Sequence, residues 1–119
     1  VRYVVMVGRL EEALRLHDRG YDVMVGDLDD PAAYRAARVE RAAMVAATQA
    51  DTTNANITFT VREITADVPV VATVSKAASV DILTLAGANE VLQLGEMLGA
   101  AMAVIFSGIG SSRGVGLAV

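Results

Sequence analysis

No cysteine and no tryptophan occur in the 119 residues, and histidine and lysine appear once each, as His17 and Lys76. The lack of cysteine excludes disulfides, thiolate metal ligands and cysteine nucleophiles. A single histidine leaves little from which to build a zinc site or a Ser-His-Asp triad. Lysine scarcity goes with an acidic balance, 14 acidic against 10 basic residues and a net charge of −4. Such a chain carries no basic footprint for nucleic acid or for an anionic membrane surface. No apolar run reaches the roughly 20 residues of a membrane span. The longest, Leu98 to Gly108, is interrupted by Gly99. No N-terminal segment has the charged start and cleavage site of a secretory signal. These absences predict a cytoplasmic domain without direct membrane insertion.

Aromatic residues are also few, at 4 %, whereas hydrophobic residues make up 54 %. The core must therefore be aliphatic, which suits a parallel sheet whose strands are covered on both faces and read as unbroken Val/Ile runs. Glycine and proline together number only 12, too few for a disordered or low-complexity chain. The length allows one domain and no second core.

Strand and helix patterns alternate along the chain. Tyr3 to Val7 reads as a strand ending at Gly8. Leu10, Ala13, Leu14 and His17 then fall at helical spacing, which predicts a helix with His17 half-buried on its apolar stripe. Gly20 stops that helix. Tyr21 to Val25 is a second strand, and Asp29 or Asp30 caps a short helix that opens on Pro31 and runs to about Arg38. Ala42 to Ala47 is a third strand, followed by a helix from about Asp51 to Thr65 with Ile57, Val61 and Ile64 inward. Val70 to Val74, a helix over Ala78 to Leu85, a strand over Glu90 to Gln93 and a helix from Gly95 through Ile105 complete the alternation. The order predicts a doubly wound parallel sheet. Residues 1–106 form this domain, and 107–119 read as a Gly/Ser-rich loop or the start of a further subdomain, with one added strand at Val115 to Val119.

Two places have the character of a ligand site, because open α/β sheets bind ligands at the carboxyl ends of their strands. The first is Gly26-Asp27, where glycine admits a close approach and a carboxylate can hydrogen-bond a ribose or an adenine amine; Asp27 is equally well read as a turn former. The second is Ala47-Thr48 with Asn54, small and polar residues beside a helix N-terminus that attracts anions. Ordinary turn and cap chemistry accounts for the same residues. Gly108 to Gly114 imitates a dinucleotide fingerprint but lacks the strand–turn–helix setting that gives it meaning. Adjacent carboxylates such as Glu11/Glu12 and Asp29/Asp30 do not make an acid/base pair, and no catalytic residue is assigned.

Taken in order, Val25-Gly26-Asp27-Leu28-Asp29-Asp30-Pro31, Ala37-Arg38-Val39-Glu40-Arg41-Ala42, Val45-Ala46-Ala47-Thr48 with Asp51 to Asn54, Thr60-Val61-Arg62-Glu63 and Ala86-Gly87-Ala88-Asn89-Glu90-Val91 resemble the Trk-type N-terminal domain, also called the RCK domain (regulator of K⁺ conductance). The resemblance implies a Rossmann-like fold, binding of NAD(H), ATP or ADP, and assembly as a homodimer or higher ring. It implies a partner too, a potassium channel or transporter subunit at the inner face of the membrane. In that family Gly-Asp-x-x-Asp-Pro follows the third strand, so Tyr3 to Val7 corresponds to the second. The glycine-rich first strand–helix unit is then missing or degenerate, and Val7 stands where a ribose-binding acid is usual. Thr73, Ser75 and Ala46 stand where a calcium-activated relative has carboxylates, so no metal site is expected. The resulting expectation is a nucleotide-sensing gating domain contacting its ligand through Gly26, Asp27, Ala47, Thr48 and Asn54. The alternatives are an assembly domain with a vestigial site, or a fragment of an NAD-dependent oxidoreductase.

Overall fold

The computed structural model describes the backbone of residues 3–112 and the side chains of residues 3–105. Five strands and five helices alternate: β1 (Val5–Val7), α1 (Leu10–Asp18), β2 (Val23–Val25), α2 (Pro31–Ala36), a single 3₁₀ turn (Val39–Arg41), β3 (Val45–Ala47), α3 (Asp51–Ile64), β4 (Val70–Val74), α4 (Ser79–Ala86), β5 (Glu90–Gln93) and α5 (Leu94–Ser112). All paired strands run parallel. The strands do not form one continuous sheet. They form a pair, β1–β2, and a triplet, β3–β4–β5.

The triplet holds the core. Along β4 the side chains alternate, with Val70, Ala72 and Val74 buried beneath α3 and α4 and Val71 and Thr73 only half-buried on the other face. Val61 of α3 and Leu83 of α4 are completely buried against this surface. Ile57 and the half-buried Ile64 continue the inward face of α3, as the spacing predicts.

Helix ends follow local chemistry. Asp30 caps α2, its Oδ1 accepting from the Ala32 N–H at 2.9 Å, with Pro31 in the first turn. Gly87 ends α4 at φ 113°, a left-handed conformation that glycine adopts without strain. A Cβ there would also stand 2.8 Å from the Arg62 side chain. That guanidinium crosses the turn, donating to the carbonyls of Gly87, Thr65 and Val68 and to Asn89 Oδ1. Asn89 Oδ1 accepts from the Val70 N–H as well, so one side chain couples the starts of β4 and β5.

Several expected boundaries shift. β1, β2 and β3 are shorter than their apolar runs, because each has a hydrogen-bonded neighbour on one side only. α2 ends at Ala36, and Arg38 takes the left-handed region at φ 58°. On α1 the buried residue is Ala13, while Leu10, Leu14 and His17 are exposed. A two-stranded sheet is too narrow to cover a full helical stripe, so His17 lies in solvent, 4.0 Å from Asp18, rather than half-buried. α5 extends to Ser112, which replaces the expected loop over 107–112 with helix. The expected strand at Val115 to Val119 lies outside the described residues.

Candidate functional site

The carboxyl ends of β1 and β2 open into a crevice of about 510 Å³ lined by Gly8, Val25, Gly26, Asp27, Leu28, Asp29, Thr53 and Asn56. Its floor is two glycines that follow the two strands, so backbone rather than side chain borders the space. At Gly26 this is a packing requirement, because a Cβ would lie 2.8 Å from the Ala33 Cβ of α2.

The loop from Gly26 to Pro31 is braced from within. Asp27 Oδ1 accepts from the Asp29 N–H at 2.9 Å, and the Asp30 N–H donates to the Asp27 carbonyl. Tyr34, buried in α2, donates its hydroxyl to the Leu28 carbonyl at 2.7 Å. Burial, together with the charges of Asp29 and Asp27, pushes the Tyr34 hydroxyl up to about 12. Tyr34 is thus a neutral structural donor throughout the physiological range, and Asp27 is held at the rim as an exposed carboxylate.

Of the five residues singled out in the sequence, Gly26 and Asp27 line this crevice and the other three do not. Thr48 is exposed just beyond β3. Ala47 is buried in the core. Asn54 is fully buried, accepting from the Gln49 N–H at 2.7 Å and donating to the Gln49 and Thr73 carbonyls. It ties the β3–α3 turn to the end of β4. Asp51, at the start of α3, accepts from the backbone N–H groups of Ser75 and Lys76. Those bonds, with one from the Ser79 side chain, hold its carboxyl below the ordinary range. Both residues fix the start of α3, the helix that carries the lining residues Thr53 and Asn56, against the end of β4.

Thr53 and Asn56 are the crevice residues that the sequence reading passed over. They lie three residues apart on α3, beside the buried face made by Asn54, Ile57, Thr58 and Val61. Helical spacing from that apolar stripe would have separated them from Asn54, which points inward. Among the described residues no group of three or more His, Asp or Glu side chains is placed to hold a metal ion.

The crevice is mixed in character, with two carboxylates (Asp27 and Asp29), a hydroxyl, an amide and two glycines. It lacks a paired acid and base or an activated nucleophile among its lining residues. Such a surface can bind and orient a polar ligand at a strand terminus.

The chain matches the TrkA-N domain over residues 2–94. The chain belongs to the TrkA-N domain family. Among solved structures, this TrkA-N domain is similar to the GsuK RCK domain, at 33 % identity and a TM-score of 0.77 over 82 % of this chain and 22 % of that one. The GsuK channel bound to NAD matches at 33 % identity and a TM-score of 0.78, over 82 % of this chain. The present chain spans only 18 % of that channel's length. The TrkA-N domain of inner membrane protein ybaL from Escherichia coli shares the fold at 20 % identity and a TM-score of 0.76, over 86 % of this chain and 76 % of that one. No curated protein matches. The Rossmann-like α/β fold and the RCK/TrkA-N resemblance therefore stand as findings. Among the described residues no helix is long and apolar enough to cross a membrane.

Proposed function

We propose that this domain senses an adenine nucleotide and biases the gating of a potassium channel or uptake system. The observation that carries the reading is the crevice at the carboxyl ends of β1 and β2, with Gly26 and Asp27 at its rim, on a TrkA-N scaffold. GsuK structures bound to NAD and to ADP support the ligand class. Asp27 accepts from ribose hydroxyls or an adenine amine, and Gly8 and Gly26 allow close approach. Thr53 and Asn56 supply the facing polar groups. Ala47 and Asn54 shape the turn without touching the ligand. The domain acts by binding rather than catalysis, shifting an equilibrium between two assembly states by its different affinity for each.

Assembly is carried by α4 and α5. Ile82, Leu85, Leu94, Leu98 and Val104 are exposed along these helices, an apolar extent that favours a second copy or a ring. The partner is a cytoplasmic-face segment of the pore-forming subunit. Equilibrium dialysis with ADP, ATP, NAD⁺ and NADH tests the ligand. Saturable binding weakened at least tenfold by Asp27→Asn, about 1.4 kcal/mol, is expected. Absence of binding at millimolar concentration leaves an assembly domain with a vestigial site.

A further inference from the structure

The two strand ends that meet at the crevice carry opposite charge. Beyond β2 stand Asp27 and Asp29, both lining the space. Beyond β1 stands Arg9, one residue after the lining Gly8. The two loops run close together, since a Cβ on Gly8 would lie 3.8 Å from the Gly26 carbonyl oxygen. Arg9 is exposed, and among the described residues it has no ion-pair partner. Val7, the last residue of β1, is apolar and only 3 % exposed. Neither Val7 nor Gly8 therefore offers an acceptor side chain to a ribose hydroxyl, and Arg9 carries donors alone. Nucleotide-binding sheets meet the adenosine ribose with one of two chemistries, a carboxylate that bonds its 2′-hydroxyl or an arginine that accommodates a 2′-phosphate. The end of β1 presents the second.

We propose that the crevice selects an adenine nucleotide with a phosphate on its ribose 2′ position, as in NADPH, and that Arg9 sets this preference. The inference rests on the adenine-nucleotide reading above and specifies its ligand. Charge decides the orientation. Asp27 and Asp29 repel a phosphate from the β2 side, so the adenine, whose exocyclic amine is a donor, takes that side. Asp27 Oδ1 already accepts from the Asp29 N–H, which leaves its second oxygen for the amine. The ribose then lies along the two glycines, with its 2′ substituent toward the end of β1. Glu11 and Glu12 follow on the first turn of α1, so a phosphate there needs a cation beside it. Arg9 supplies that charge, and its planar fork can give a phosphate two parallel charge-assisted hydrogen bonds. A 2′-hydroxyl has no charge to draw on the same group.

Isothermal titration calorimetry of the full chain with NADPH, NADH and adenosine 2′,5′-bisphosphate tests the assignment. NADPH is expected to bind about tenfold or more tightly than NADH, the scale of a hydrogen bond to a charged group. The ratio should shrink as salt is raised, because Arg9 is exposed. Arg9→Gln should remove the preference, and Arg9→Lys, which keeps the charge without the planar fork, should retain part of it. Binding of NADH as tight as that of NADPH overturns the inference and leaves the nucleotide reading standing. A preference that survives in Arg9→Gln does the same. Inorganic phosphate at the same concentration should not displace adenosine 2′,5′-bisphosphate; if it does, Arg9 is a general anion site and the ribose assignment fails. Failure of every nucleotide to bind removes the nucleotide reading and this inference together.

Discussion

The two halves of the domain differ in what holds them. The β3–β4–β5 triplet and its helices bury Val61, Val70, Ala72, Val74 and Leu83 to 1 % exposure or less, whereas β1, α1 and β2 together bury only Val7 and Ala13 among the described residues. Leu10 and Leu14 of α1 remain 62 % and 54 % exposed. The proposed nucleotide crevice nevertheless opens at the ends of β1 and β2, with α3 supplying the opposite wall. The proposed ligand recognition thus sits on the weakly packed half and is braced by the strongly packed one. A ligand that joins the halves has more to stabilise than one that binds within the triplet. Conformational response is drawn from low-stability regions for the same reason.

Core truncation should break the comparison most visibly. Leu83→Ala is expected to lower unfolding stability by about 2–5 kcal/mol, while Leu14→Ala stays within about 0.5 kcal/mol. Urea denaturation measures both, and equal losses would mean that α1 is as well packed as α4. Asn54→Ala should cost about 1–3 kcal/mol, because peptide groups of Gln49 and Thr73 lose their buried partner. Asn56→Ala, exposed on the same helix, should leave stability unchanged and weaken only nucleotide binding. Gly26→Val should cost about 1–3 kcal/mol by forcing a side chain against Ala33.

The smallest effects are in pH dependence, and they carry opposite signs. Tyr34 has its folded pKa raised from 10.0 to about 12. Its contribution is therefore complete below pH 10 and is lost as pH rises toward 12, where the folded state holds a proton that the unfolded state has released. Tyr34→Phe should flatten that alkaline decline. Asp51 has its folded pKa lowered from 3.8. Its contribution is present above that value and disappears as pH falls through the folded pKa, so Asp51→Asn should flatten the acid limb. Chemical denaturation across both ranges checks the pair.

Much of this architecture was legible in the residue pattern. β4 is a five-residue run with four apolar residues and α3 has an unmistakable stripe, and both occur where expected. Gly26 and Asp27 line the crevice at the ends of β1 and β2, a strand-terminal position that the glycine and carboxylate after an apolar run had suggested. What the pattern could not reveal depends on neighbours distant in sequence. Leu10, Leu14 and His17 have helical spacing yet no surface to bury against. Asn54 has the look of a ligand contact, and only the approach of Thr73, nineteen residues on, shows it to be a clamp. The split between β1 and β3 has no local signature either, since each strand is apolar whether or not its second edge is paired.

The central claim is that an adenine nucleotide binds at the Gly26–Asp27 rim. Thermal melting of the wild-type chain and of Asp27→Asn, each with millimolar ADP or NADH, tests it most directly. A ligand selective for the native state stabilises by about 2.7 kcal/mol at a hundredfold excess over its dissociation constant. The account predicts a raised Tm for the wild type with at least one of the two nucleotides and a clearly smaller rise for Asp27→Asn. An unchanged wild-type Tm with both, or an equal rise in the variant, would contradict it.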